Sequence, residues 1–361
     1  MQMPDGQTVP DVAGQASSEE STTTENGASD DSSADTSEST AAEETESTSC
    51  KALKAGTLLT VNNGSFTINA EDDSFHSNTD LVINGGSFSV QTGDDAVHAD
   101  NAVTINDGSF DIKNCYEGVE GSTIDINGGT ITLNASDDGI NASDGSATDG
   151  FGGMMQGGNS SLYIRFTGGT VNITAQGDGV DSNGNLYFDG GIVNVVCTSP
   201  GADSAIDADG TIETGGTALT ATSTGTQMLQ VPSDSSSTAS VTVVYTQTQK
   251  AGTKVELKDS QGNVISEVTP SADFQTILIS ASGLETSQTY TLYSSDTLVT
   301  DITLSGTVTS VSSDGSEYTV QGNGMGMGGG GRGSFGGGER PSTTEGGNTG
   351  ETTITGNEVT I

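Results

Sequence analysis

Seven glycines set the frame of this chain. Gly64, Gly86, Gly108, Gly129, Gly169, Gly191 and Gly216 each close a turn, at intervals of 22, 22, 21, 40, 22 and 25 residues. A period in this range is that of a solenoid, whose repeats bury their apolar faces only against one another. The segments between are short and β-branched, as in Leu81-Val82-Ile83-Asn84-Gly85-Gly86-Ser87-Phe88-Ser89-Val90. They lack the three-to-four spacing of an amphipathic helix. Each repeat therefore predicts one coil of a parallel β-helix, about 22 residues long, in an all-β fold.

Alignment on the glycines sorts residues into columns, because one position of each coil stacks about 4.8 Å above the next. Two residues after each glycine stand Phe66, Phe88, Phe110, Ile131, Val171 and Val193, a core column. Two residues before stand Asn62, Asn84, Asn106 and Asn127, suited to a structural ladder of stacked amides. The 40-residue interval is one coil plus an insertion, placed at Asp144 to Ser161 with its glycine and methionine run. The coils are expected from about Leu58 to Thr224, within a domain spanning 51–238.

The flanks differ in composition. Residues 1–50 hold 12 acidic and no basic side chains among Ser, Thr and Ala, too few apolar groups to offset ordering entropy, and read as a disordered linker. Residues 239–311 return to strand alternation, with a hairpin turn at Asp259-Ser260-Gln261-Gly262-Asn263. They read either as a small antiparallel module or as a cap on the solenoid. Residues 312–361 read as a glycine-rich tail.

The 49 acidic against 9 basic residues give a formal charge of -40, which excludes nucleic acid and anionic lipid as direct electrostatic partners. No apolar run is long enough to span a membrane. The acidic Ser/Thr leader before a repetitive β domain suggests an exported, surface-attached protein whose signal or lipid anchor is missing from this sequence. Cys115 and Cys197 fall three coils apart, about 14 Å, too far for a disulfide. With Cys50 they are read as free thiols.

Chemistry concentrates in the second half of each coil. One column holds Asp73, Asp95, Glu117, Asp138, Asp178 and, after a one-residue slip, Asp203; another holds His76, His98, Glu120, Asn141, Asp181 and Asp207. Asp72, Asp94 and Asp137 stand beside the first column. Like charges about 4.8 Å apart repel by about 3–4 kcal/mol at an effective dielectric near 20, so such a row calls for a counterion. Calcium, with its six to eight oxygen ligands, fits two stacked carboxylates. The thirteen oxygen-bearing residues Asp72, Asp73, Asp94, Asp95, Glu117, Glu120, Asp137, Asp138, Asn141, Asp178, Asp181, Asp203 and Asp207 are the expected metal set. Asp and Gly are also ordinary turn residues; the repetition of an acid in one register favours the metal. His76, His98 and Tyr116 in the same band, and Arg165 and Tyr187 stacked in an outward column with Val82, Thr104 and Asp125, are candidate ligand contacts.

The run Gly93-Asp94-Asp95-Ala96-Val97-His98-Ala99-Asp100, then Val103-Thr104-Ile105-Asn106, Tyr116-Glu117-Gly118-Val119-Glu120-Gly121 and Asp137-Asp138-Gly139-Ile140-Asn141-Ala142, resembles the carbohydrate-binding domain-containing proteins of clostridia and their relatives, over roughly Leu53 to Val311. The first coil departs, with Ser74-Phe75-His76-Ser77 where that pattern has small residues. The resemblance implies a secreted, right-handed β-helix akin to pectate lyases, with bound calcium, attached to plant-type polysaccharides such as cellulose and polygalacturonate.

Enzymes of similar architecture are the rival reading. Polygalacturonases use N-T-D and G-D-D aspartates, and this chain has Asn78-Thr79-Asp80 and Gly93-Asp94-Asp95. Asp80 and Asp94 lie only 14 residues apart, short of one coil; neither histidine is flanked by glycine, and no arginine is near. A lyase needs a base beside the uronate, and the coils as bounded here offer only Lys113 and Arg165. The expectation is a non-catalytic polysaccharide-binding protein. A calcium-stiffened adhesive stalk is the third class; oligomeric state is not legible.

Overall fold

The structure, a computed structural model, describes residues 50–144, 158–201, 203–320 and 351–360. The leader 1–49, the bulk of the inserted loop at 145–157 and the glycine run 321–350 lie outside the described residues, together with the expectations attached to them. The described chain is strand and turn without helix.

Three parallel sheets wind around a common core. The first is built from 58–61, 80–83, 102–105, 123–126, 163–166, 185–188 and 212–214. The second takes 65–70, 87–92, 109–115, 130–135, 170–175, 192–197 and 218–223. The third takes the three-residue strands 53–55, 75–77, 97–99, 119–121, 140–142, 180–182 and 206–208. This is the expected parallel solenoid, about seven coils of about 22 residues. It starts at Leu53, one short strand earlier than Leu58, which brings Lys51 and Lys54 into the fold.

Every marker glycine has positive φ, from 80° at Gly191 to 156° at Gly216, a region side chains disfavour. Stacking adds a second constraint: a Cβ on Gly86 would lie 2.8 Å from the Phe88 ring, and one on Gly129 would lie 2.6 Å from the Gly108 carbonyl oxygen. The period is therefore set by the only residue that turns this tightly under its neighbour.

Two residues on, the core column forms as the register requires, Phe66 on Phe88 on Phe110 on Ile131 on Val171 on Val193. The Phe66, Phe88 and Phe110 rings stack with centroids 5.1 and 4.4 Å apart, and Phe75 meets the first two edge-on. Strand alternation points Leu81, Ile83, Val103, Ile105, Ile124 and Ile126 into the same core from the first sheet. The asparagine ladder runs outside it, Asn84 Nδ2 donating to Asn62 Oδ1, Asn106 to Asn84 and Asn127 to Asn106, at 2.8, 2.8 and 3.0 Å. Cys115 and Cys197 are buried free thiols three registers apart, each pushed up to about 12 by burial.

Both ends of the stack are covered. At the C-terminal end, Phe274–Ser280 pairs antiparallel with the last coil and with Ser240–Gln249, which in turn pairs with Val308–Ser312. Beside it Val255–Lys258, Val264–Val268, Thr289–Ser294 and Thr297–Thr303 form an antiparallel sheet on a second core that includes Tyr245, Leu257, Phe274 and Leu292. The hairpin forms at Asp259, whose Oδ1 accepts from the Gln261 and Asn263 amides. Segment 239–311 thus combines the two alternatives left open by its sequence. At the other end Glu351–Thr360 pairs parallel with Leu58–Ala70, with Ile354 packed on the core. That strand lies in the stretch expected as a glycine-rich tail. Ile354 and Val359 repeat the five-residue offset of Val61 and Phe66, but the glycine run before them hides the repeat.

Candidate functional site

The turn between the second and third sheets carries the acids. The outer column is unbroken: Lys54, His76, His98, Glu120, Asn141, Asp181 and Asp207 occupy one register. In each third-sheet strand the flanking residues, such as Val97 and Ala99, fill the core, so the middle one faces away from it. In the turn column Asp73, Asp95, Glu117, Asp138 and Asp178 align through bonds such as Ser74 N–H to Asp95 O and Gly139 N–H to Asp178 O. Asp203 does not join them. Gly179 N–H bonds to Ser204 O, so Ser204 takes the sixth place, while Asp203 accepts from Ser199 Oγ at 2.6 Å. The strand pairing Val180 to Ile206 sets this register, and the lengthened turn before it displaces the acid by one residue. Asp72, Asp94, Tyr116 and Asp137 stack one position earlier, with the Tyr116 phenol raised by its bond to Asp137.

The turn column has a structural role that its sequence did not reveal. Asp73 Oδ1 accepts the Asp95 amide and Asp95 Oδ1 the Glu117 amide, both at 3.2 Å; Asp138 Oδ1 accepts the Asp178 amide at 2.7 Å; and Asp178 Oδ1 accepts the Ser204 amide. Each of these four carboxylates thus caps an N–H of the next coil, a bond costly to leave unmade where it is buried, and the second oxygens of Asp73 and Asp95 meet the outer column at His76 and His98.

Neutralisation of those second oxygens divides the row. In the first coils the protein supplies its own cations. Lys51 Nζ lies 3.0 Å from Asp72 and 2.6 Å from Asp73; His76 Nδ1 lies 2.8 Å from Asp73. His98 Nδ1 sits among Asp95, Glu120 and Asp73 at 3.2, 3.4 and 3.5 Å. The two imidazoles meet edge-on, 4.8 Å apart. Burial alone would discharge His98, but bonds to Asp73 and Asp95 and the Glu120 charge raise it to about 11, so it is an imidazolium. Burial would likewise raise Asp73, and the bonds from His76 and His98, with the Lys51 charge, instead hold it well below the usual carboxylate range. Asp95 goes to about 7, because burial and the Glu120 and Asp73 charges outweigh its bond to His98.

Beyond the third coil neither column contains a cation. Burial, then neighbouring carboxylates, push Glu117 and Asp181 well up, Asp138 to about 7 and Asp178 to about 8. Gln230 Nε2 donates to Asp207 Oδ1 at the end of the row. At its centre Asn141 Nδ2 donates to Glu117 Oε1 at 3.2 Å. Glu117 Oε2 and Asn141 Oδ1 are both buried with no hydrogen-bond partner among the described residues.

The expected metal set therefore splits. Ligand atoms converge within 4.8 Å in three groups, Asp73-His76-His98, Asp95-His98-Glu120 and Asp72-Asp73-Asp94. All three lie where Lys51 or His98 already balances the charge. Glu117, Asp138, Asp178 and Asp181 are the row's carboxylates with raised pKa and no cation in either column beside them, and the partnerless Asn141 amide oxygen lies among them. Two buried orphan oxygens beside carboxylates form an oxygen-only donor set of the kind a hard cation takes. Glu117 and Asn141 are the residues that would hold it. Lys51 lies before the first coil as the sequence bounds it at Leu58; its signal is the 22-residue offset to Asp73.

The enzyme-like aspartates are apart. Asp80 lies at the start of a first-sheet strand, in register with Ala102 and bonded to Asn101, whereas Asp94 lies in the acid turn. The first sheet also carries the expected outward column Val82, Thr104, Asp125, Arg165 and Tyr187. The structure adds Tyr163, two residues before Arg165 and on the same face. The Arg165 guanidinium stands 5.4 Å from the Tyr163 ring centre and 4.8 Å from that of Tyr187.

Fold and site together define a parallel β-solenoid with a buried ionic row along one turn and an aromatic, guanidinium-bearing outer sheet. A family model described as carbohydrate-binding domain-containing protein matches residues 12–96, so over that stretch the chain is similar to that family. The description agrees with the resemblance read from the motifs, though the match is shorter than Leu53 to Val311 and reaches only into the first coils. No curated protein and no solved structure matches the chain.

Proposed function

We propose that this chain is a non-catalytic, secreted polysaccharide-binding protein that attaches to plant-type glycans such as cellulose or polygalacturonate and takes up calcium in the second half of its acid row. The family similarity over residues 12–96 and the solenoid architecture support polysaccharide binding. Long parallel sheets present outward hydroxyls, amides and aromatics at the coil spacing, matched to an extended chain. The observation that carries the calcium reading is the pair of partnerless buried oxygens on Glu117 and Asn141 amid carboxylates without cations. A bound calcium would supply positive charge on which a uronate carboxylate could be shared by an otherwise repellent protein. No helix among the described residues is long and apolar enough to cross a membrane.

Retention of the full chain on cellulose and polygalacturonate, in calcium and in chelator, tests this reading. Retention with uronate binding lost in chelator supports it. Failure of every polysaccharide to retain the protein in millimolar calcium overturns it, and unsaturated or new reducing ends would replace it with an enzyme. Calcium-dependent melting without glycan retention would leave the stalk.

A further inference from the structure

The first sheet holds a second place built for a ligand. The described part of the solenoid has three tyrosines, and two of them, Tyr163 and Tyr187, meet on this outer face with Arg165 between them. Their rings lie 6.3 Å apart at 65°. The phenylalanines of the described coils go to the core, as Phe66, Phe88, Phe166 and Phe188 show, so on this face these two tyrosines are the flat aromatic surface. Asp125 accepts the Tyr163 hydroxyl at 2.9 Å. Asp189 stands 3.5 Å from Arg165 Nε, and Glu213 is paired in register with Tyr187. The Arg165 side chain is 41% exposed, yet its Nε is buried and makes no hydrogen bond among the described residues; 3.5 Å exceeds a normal N–H···O length.

We infer that the face around Tyr163, Arg165 and Tyr187 is a subsite for a neutral glycan chain, selecting uncharged hexosyl units over uronates. The inference rests on the polysaccharide-binding reading. Sugar C–H faces lie well on aromatic rings and on a guanidinium plane. Hydroxyls can donate to Asp125 and Asp189 while accepting from Arg165, and bonds to charged partners are the stronger kind. Charge decides the selection. One guanidinium stands among Asp125, Asp189 and Glu213 on a chain of formal charge -40, so a uronate carboxylate meets a negative field that a hydroxyl does not. This face has no part in the acid row, so its binding is independent of calcium.

The test uses the full chain and titration calorimetry with a soluble cello-oligosaccharide and with polygalacturonate, in calcium and in chelator, for wild type, Tyr163→Ala, Tyr187→Ala and Tyr187→Phe. Each alanine variant is expected to lose about tenfold or more in affinity for the neutral chain, the scale of an aromatic anchor. Tyr187→Phe, which keeps the ring, is expected to stay within a few-fold of wild type. Chelator leaves neutral binding unchanged, and the alanine variants leave polygalacturonate binding unchanged. Should an alanine variant melt early, Asp189→Asn on the exposed rim provides the second reading: neutral affinity falls and uronate affinity rises. The inference is overturned if folded alanine variants bind the neutral chain like wild type. It is also overturned if wild type holds polygalacturonate but no neutral glycan, in which case the broader reading survives. Absence of binding to any polysaccharide removes both.

Discussion

Melting of the metal-free protein between pH 5 and pH 8 probes the uncompensated half of the row directly. Asp178 titrates at about 8 in the fold against 3.8 for an ordinary aspartate, and Asp138 at about 7. Between those values the folded chain keeps protons that the unfolded chain has released. Their contribution to stability is complete below 3.8 and is lost as pH rises through the folded values. At about 1.4 kcal/mol per pH unit, Asp178 alone removes about 2.7 kcal/mol from pH 5 to pH 7, or about 5–10 °C in Tm for a domain of this size. His98, raised to about 11, adds a slope of the same sign above 6.5. Asp73, which is depressed, adds stability only above 3.8, and that is constant across this range. The assay is scanning calorimetry in chelator at fixed ionic strength. The double variant Asp138→Asn/Asp178→Asn retains the Oδ1 acceptors for the Asp178 and Ser204 amides while removing both charges, so its profile should be flatter and its Tm at pH 8 higher. Millimolar calcium at pH 8 should restore the wild type toward its pH 5 value. A wild-type Tm that is level or rises from pH 5 to pH 8 in chelator would refute the assignment of uncompensated charge.

Three further outcomes follow from the same structure. Lys51→Ala leaves Asp72 and Asp73 without their ammonium partner, and a broken buried pair costs about 3–5 kcal/mol, measurable as a lower denaturant midpoint. Phe88→Ala opens the centre of the ring stack and is expected to cost about 3–5 kcal/mol with an unchanged strand signature by circular dichroism. Deletion of 351–360 uncovers the edge of the first coil and is expected to lower Tm and promote concentration-dependent association in light scattering, as exposed strand edges do.

The period, the marker glycines, the phenylalanine column and the asparagine ladder were legible in the chain itself. In a solenoid a fixed sequence offset is a fixed vertical contact, so neighbours about 22 residues apart can be read without coordinates. The same rule aligned Arg165 with Tyr187 and His76 with His98. It failed where the offset changes: the lengthened turn put Ser204 rather than Asp203 into the column, and only the strand pairing of Ile206 settles that. It also failed at the ends, where the coils begin at Leu53 rather than Leu58, with Lys51 just before them, and Glu351–Thr360 returned across a glycine run to close the first coil.

What sequence determined about this protein, then, is the coil, its core and the rows of acids, because each follows from local pattern repeated at one interval. Tertiary structure alone decided which acids are balanced. That depends on whether Lys51 and His98 reach a given carboxylate oxygen, and on how much water burial removes around Glu117, Asp138 and Asp178. Those are distances and exposures in three dimensions, and no residue offset encodes them.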